Sequence, residues 1–174
     1  GMGLPMVLNL STRDVSGPLN IKNGHSDLAA TLGVGWLIFM APTVQATYDM
    51  NIIALKVAEA VSLPAIVAYD GFHTSHGVRR INVFKDEQCV RDFIGDKPEI
   101  PNILDLEHPK TIGPYMNDDL INTKVLLDDK MAKAYEILPS VFKEFEELSG
   151  RSYGMLDIHG DDDADVALVA LNTA

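Results

Sequence analysis

Ala65 to Tyr69 (Ala-Ile-Val-Ala-Tyr) is an uncharged apolar run of the length and kind that fills a strand buried on both faces. It breaks at Asp70-Gly71, a turn signal, and gives way to the polar cluster His73, Thr74, Ser75 and His76. Upstream, Thr43 to Val61 places Val44, Tyr48, Ile52, Leu55 and Ala58 at three- and four-residue steps, with Gln45, Asp49, Lys56 and Glu59 mostly off that stripe. This spacing predicts an amphipathic helix. Thr43 is its expected N-cap, with Ala46 standing where Glu or Gln would close a capping box. Helix 43–61 and strand 65–69 form one αβ unit. Open α/β sheets place ligands outside the carboxyl ends of their strands, so the polar cluster is a candidate site. A hydrogen-bonded loop at the rim of the sheet is the plainer reading of the same residues.

The rest of the pattern extends this unit. Met6–Leu10 reads as a strand ending at Ser11-Thr12-Arg13-Asp14, and Gly35–Met40 as a second buried strand closed by Pro42. Between them Ser26 or Asp27 is placed to cap a short helix over Leu28–Leu32. Arg79–Phe84 alternates, which predicts a short strand or edge segment at 81–84, and Asp86–Ile94 predicts a helical piece. From Lys97 to about Asn122 periodicity is lost and Pro98, Pro101, Pro109 and Pro114 intervene, as in a segment wrapped over its own surface or a partner's. Leu127–Leu148 is helical, with a stripe of Met131, Ile137, Leu138, Val141, Phe142, Phe145 and Leu148. Pro139 should kink it or start a second helix, and Gly150 is the natural C′ residue. A solvated acidic turn, Asp161–Asp165, precedes a strand-like run, Val166–Leu171. The predicted fold class is α/β, a mainly parallel sheet flanked by helices.

Charge and composition narrow the function. The 174 residues are 47% apolar and 22% charged, ordinary for one globular domain. The net charge of −11 opposes nonspecific binding to nucleic acid or anionic membrane. The single cysteine, Cys89, excludes an intrachain disulfide and an all-cysteine iron–sulfur site, and fits a reducing, cytoplasmic setting. The continuous apolar part of 28–48 is only Trp36–Ala41, too short to cross a bilayer. No basic region precedes an apolar run at the start, so no signal peptide is expected, and Gly1 before Met2 reads as a tag scar. His25 and Asp27 are metal-ligand types without a third ligand at a recognisable spacing, so no metal site is expected. Arg13, just past a strand, is placed either to fork a carboxylate or to pair with Asp14 at the surface.

Several stretches together resemble a known family. Arg13-Asp14-Val15-Ser16-Gly17-Pro18-Leu19-Asn20-Ile21, Gly24-His25-Ser26-Asp27, Gly35-Trp36, Gln45 with Asp49, Asp70-Gly71-Phe72 with Ser75-His76, and Gly150-Arg151-Ser152-Tyr153-Gly154 occur in the order seen in the α chain of 2-oxoacid:ferredoxin oxidoreductases. Pyruvate:ferredoxin and branched-chain 2-oxoacid enzymes belong to that family. The resemblance implies a thiamine-diphosphate-binding fold, with residues 1–155 an incomplete pyrimidine-binding domain and 156–174 resembling the first strand of a following domain. Such enzymes decarboxylate a 2-oxoacid on thiamine diphosphate, pass electrons through iron–sulfur clusters to ferredoxin and transfer the acyl group to coenzyme A. By the same resemblance Arg13 holds the substrate carboxylate. His25, Asp27, Asp70, Ser75 and His76 shape the cofactor end of the sheet or a partner contact.

The sequence also departs from the family. The cofactor-activating glutamate belongs upstream of Arg13, whereas the first glutamate here is Glu59. Thr31, Leu32 and Val34 replace an Arg-Asp-Ser-type sequence, and Ala46 replaces a glutamate. No catalytic residue is therefore expected in this chain, and thiamine diphosphate is expected to bind only with partner chains. Magnesium and the clusters are expected on other subunits or domains. Two functions follow as expectations. One is a fragment or short homologue of the α subunit, inactive alone and assembled with other oxidoreductase subunits; the other is a non-catalytic binding or assembly module. A homo-oligomer is expected in either case, since uncovered strand edges invite pairing.

Overall fold

A computed structural model of the chain describes residues 3–96, 106–109, 120–161 and 163–173. The elements run β1 (Met6–Thr12), α1 (Ser26–Ala29), β2 (Leu37–Met40), α2 (Val44–Val61), β3 (Pro64–Asp70), α3 (Glu87–Ile94) and α4 (Leu120–Ser149). The three strands form a parallel sheet in the order β1-β3-β2. Register pairs Met6 with Pro64 through Thr12 with Asp70, and Leu37 with Ala65 through Met40 with Ala68. This is the predicted α/β architecture, with the apolar run at its centre. A strand flanked on both sides and covered on both faces leaves no place for a polar side chain until its end, and Ala65–Ala68 are all buried.

The two faces of β3 carry separate apolar layers. Ala65 and Val67 join Leu37 and Phe39 of β2 under α2, which α4 covers through Ala134, Val141, Phe142 and Phe145. Ile66 and Ala68 face the thinner layer, with Leu28, Trp36, Ile38 and Met40. Thr43 caps α2 as expected, its side chain accepting the Ala46 N–H at 3.0 Å. Asp86 caps α3 in the same way through the Gln88 N–H. Gly150 ends α4 at positive φ, its N–H returning to the Glu146 carbonyl.

Five expectations change. The buried face of α2 is Ala46, Met50, Ile53, Ala54, Val57, Ala58 and Val61, while Val44, Tyr48, Ile52 and Leu55 are only half-buried. The small residues let the helix approach the sheet, and Asp49 is buried too because a cation reaches it from α4's end. The short helix begins at Ser26, not Leu28, with His25 at the cap position. Residues 79–84 form no strand: α2 side chains meet their backbone hydrogen bonds instead, the Gln45 amide pairing with both N–H and C=O of Asn82 and Tyr48 Oη accepting the Phe84 N–H. Pro139 starts no second helix: it lies inside α4, which buried Ala134 on one side and Val141 and Phe142 on the other hold together across the missing hydrogen bond. Val166–Leu171 is not paired into a strand, and its larger side chains are exposed. Most of 97–122 lies outside the described residues.

Candidate functional site

The carboxyl end of the sheet brings β1, β3 and the loop 13–27 together. Arg13 leaves β1 at Thr12, which pairs with Asp70. Its N–H donates to Asp27 Oδ2 at 2.8 Å, and the Asp27 N–H returns to the Arg13 carbonyl. Asp27 Oδ1 also accepts the Leu28 N–H, so this carboxylate locks the loop to the start of α1. Next to it the Val15 N–H donates to Ser26 Oγ, and the Asp14 carboxylate lies so close to Gly24 that any side chain there would collide with it. The Arg13 guanidinium donates through Nη1 to the Ile21 carbonyl. Among the described residues it forms no ion pair with a carboxylate, Asp14 included. Its side chain crosses the start of the turn after β3: a Cβ on Gly71 would stand 2.7 Å from Arg13 Nε and strike the Thr12 carbonyl oxygen.

Asp70 ends β3 and is fully buried. One oxygen lies 3.1 Å from His25 Nε2, and the other accepts the Thr173 N–H at 3.0 Å. Asn172 Nδ2 stands 3.0 Å from the same His25 Nε2. One ring nitrogen cannot donate to a carboxylate and accept from an amide together. With the proton on Nε2 directed at Asp70, Asn172 Nδ2 cannot donate to that nitrogen, and a flipped amide that shares the proton through Oδ1, an atom without a partner among the described residues, fits both contacts. Thr74 Oγ1, in the turn just past Asp70, is buried and also without a partner among the described residues. An unsatisfied buried hydroxyl costs about 1–3 kcal/mol, so this end of the sheet has capacity for another polar group.

The sequence candidates separate into three sets. Arg13 joins Asp27, and His25 joins Asp70 across 45 residues. The side chains of Ser75 and His76 do not join them: Ser75 Oγ bonds the Gly71 carbonyl and His76 Nδ1, so both stay within their own turn. Asn172 and Thr173, which close over Asp70, carry no motif that would single them out.

A second polar cluster joins two of the stretches behind the family resemblance. Arg151 forks Asp49 with Nε at 2.7 Å from Oδ2 and Nη2 at 2.8 Å from Oδ1, while the Tyr153 hydroxyl donates to Oδ2 at 2.6 Å. Gln45 Nε2 adds weaker contacts at 3.3 Å. The guanidinium lies over the rings of Phe84 and Phe145. Hydrogen bonding to Asp49 raises the Arg151 pKa, against an opposing effect of burial. Burial, then the hydrogen bond to Asp49, pushes the Tyr153 hydroxyl well above its ordinary value. This cluster has no free acceptor for a substrate; it fixes the first turns of α2, hence Gln45 and Tyr48, at the site end of the sheet.

Thiamine diphosphate has an aminopyrimidine, a thiazolium and a magnesium-bound diphosphate. The described residues suit only part of that set. Thr74 Oγ1, without a partner among the described residues, can meet one polar group of it, while Arg13 suits the carboxylate of a substrate rather than any group of the cofactor. No trio of His, Cys, Asp or Glu among the described residues is arranged to hold a metal ion. Glu59 sits near the C-terminal end of α2, beside Gln88, Arg91 and Asp92 of α3. Since α2 runs back from the carboxyl end of β2 to the start of β3, that is the opposite end of the sheet.

The family model described as pyruvate flavodoxin/ferredoxin oxidoreductase, thiamine diphosphate-binding, matches residues 1–147. The chain is similar to the pyruvate synthase subunit PorA of Thermotoga maritima, with 39% identity over 98% of this chain and 44% of that protein. It is 33% identical to PorA of Pyrococcus horikoshii over 99% of this chain and 44% of the relative. A pyruvate-flavodoxin oxidoreductase of Trichormus variabilis is 28% identical over 97% of this chain and 14% of its own length. The chain thus spans less than half the length of these relatives.

Proposed function

The chain belongs to the pyruvate flavodoxin/ferredoxin oxidoreductase thiamine-diphosphate-binding family, and from that premise we propose that it forms the substrate-carboxylate side of a thiamine diphosphate site completed by other chains or domains. One observation carries the reading. Arg13, at the carboxyl end of β1 and across the turn that leaves β3, keeps a charged fork that no carboxylate among the described residues occupies. When bound, thiamine diphosphate supplies the nucleophilic carbon that adds to the oxo group of a 2-oxoacid. This chain's part is to bind and orient: Arg13 takes the carboxylate, Asp27 and Gly71 hold Arg13, and the Asp70–His25 pair fixes the floor beside it. Pyruvate is the substrate this reading favours, because the PorA relatives are named for it.

The chain works with other oxidoreductase subunits that carry the diphosphate site with its magnesium and the iron–sulfur clusters, with ferredoxin as acceptor. Cys89, a free thiol, fits a cytoplasmic setting. No described helix is long and apolar enough to cross a membrane. The chain also associates with a second copy, since β1 and β2 each leave one edge without a partner strand among the described residues. The purified chain with thiamine diphosphate, magnesium, pyruvate and a viologen dye is expected to show no turnover, and the complex isolated with its partners is expected to reduce the dye. Turnover by the chain alone would refute the division of the site.

The second reading, a non-catalytic assembly module, draws on a different observation. Both oxygens of Asp70 are already used, by His25 and by the backbone at Thr173. A complex that binds thiamine diphosphate and pyruvate identically with and without this chain would favour it.

A further inference from the structure

Resting on the self-association just proposed, we infer that the loop Gly71–Lys85 is the surface that grips a second copy, through that copy's segment 155–168. In a chain of net charge −11, residues 71–85 contain Arg79, Arg80, Lys85, His73 and His76 and no carboxylate. Among the described residues Arg79 and Arg80 form no ion pair, and both are exposed. Three exposed apolar side chains stand among these charges: Phe72 is 64% exposed, Val78 96% and Val83 56%.

The loop is held in shape rather than left free. The Thr74 and Ser75 N–H groups return to the Asp70 carbonyl and the His76 N–H to Phe72. Ser75 Oγ donates to the Gly71 carbonyl while His76 Nδ1–H donates to Ser75 Oγ, an order that satisfies all three groups. The His76 ring then stacks under Phe72 at 5.4 Å between centroids. Downstream, Gln45 clamps Asn82 and Tyr48 takes the Phe84 N–H. An aromatic ring ordered toward solvent beside unpaired arginines is the composition of an interface centre, and its rigidity lowers the entropy lost on docking.

The partner must offer carboxylates and apolar side chains together. Segment 155–168 of this chain does so: it contains five aspartates, at 157, 161, 162, 163 and 165, and neither lysine nor arginine. Met155, Leu156, Ile158, Val166 and Leu168 in it are exposed. Among the described residues no ion pair joins this segment to Arg79 or Arg80 within one chain. Between two copies related by a two-fold axis the contact is made twice, loop to segment and segment to loop.

Sedimentation of the purified chain tests this. The wild type is expected to dimerise, more tightly at about 50 mM salt than at about 500 mM because screening shortens the reach of exposed charges. Arg79→Glu/Arg80→Glu should weaken the dimer by about tenfold or more, since rim charges of like sign oppose encounter and docking. Asp161→Lys/Asp163→Lys/Asp165→Lys should do the same. Mixing the two variants should restore a heterodimer, because both reciprocal contacts are again of opposite sign; an unfolded variant could not give this result. Phe72→Ser should weaken association without altering its salt dependence. A wild-type monomer at about 100 μM would overturn the self-association itself. Dimers unaffected by the arginine reversal would overturn this surface while leaving self-association intact. Failure of the mixed variants to pair would overturn the assignment of segment 155–168.

Discussion

Replacing Arg151 by alanine should be among the most damaging single changes in the described structure, although the residue follows the last helix and lies 102 positions from its partner. Asp49 is fully buried, and Arg151 supplies its two shortest nitrogen contacts at 2.7 and 2.8 Å. Removing one member of such a pair leaves a charge without compensation and costs about 3–5 kcal/mol. The guanidinium also covers Phe84 and Phe145 at 5.4 and 5.8 Å from the ring centroids. Losing those contacts adds about 0.5–1 kcal/mol each. The Tyr153 hydroxyl and the Gln45 amide remain near Asp49 and place the total at the lower end of the range. With a urea slope of about 2 kcal/mol/M, a loss near 4 kcal/mol moves the unfolding midpoint down by about 2 M. Asp49→Leu/Arg151→Met removes both charges together and should recover about 2 kcal/mol or more relative to Arg151→Ala. Urea titration followed by circular dichroism reads all three proteins. An Arg151→Ala midpoint within about 0.3 M of wild type would refute the assignment of this pair as the anchor of α2.

Two further outcomes follow from the same geometry. The folded-state pKa of Tyr153 lies above its ordinary 10.0, so the stability it lends is full below pH 10 and declines as pH rises beyond it, because the unfolded chain then gives up a proton the folded one keeps. Unfolding midpoints measured between pH 9 and pH 11 should fall less in Tyr153→Phe than in wild type, and equal falls would count against the buried hydroxyl. Gly71→Ala should cost about 1–3 kcal/mol, because the new methyl meets the Thr12 carbonyl oxygen and Arg13 Nε. Thermal unfolding measures the cost, and a melting temperature equal to wild type would show that Arg13 does not lie across the turn.

The sheet was legible because its central strand cannot be anything else: Ala65–Ala68 has no polar side chain and is bounded by a turn. The cap at Thr43 and the stripe of α4 were legible because both signals are local. The buried face of α2 was misread for a reason outside the helix. Asp49 counts as a polar position until Arg151 arrives, and then the buried arc shifts toward it. Residues 79–84 alternate like a strand, yet their hydrogen bonds go to Gln45 and Tyr48, side chains that pattern alone does not connect to them. Arg13 could be placed by residue type at a strand end. The contacts of Asp70 with His25 and Thr173 could not, since they join positions 45 and 103 residues apart. The strand expected at 166–171 reflected apolar content, and no described strand pairs with it.

The most direct test of the account compares the complex isolated with its native partner chains against the same complex carrying Arg13→Gln, reading pyruvate-dependent reduction of a viologen dye. A charged hydrogen bond to a carboxylate is worth about 1.5–3 kcal/mol, or roughly ten- to more than a hundredfold in kcat/KM. The account predicts a loss of that size, carried mainly by KM, with thiamine diphosphate binding unchanged, as expected of a side chain that holds the substrate alone. An Arg13→Gln complex with unaltered kcat/KM for pyruvate would contradict it.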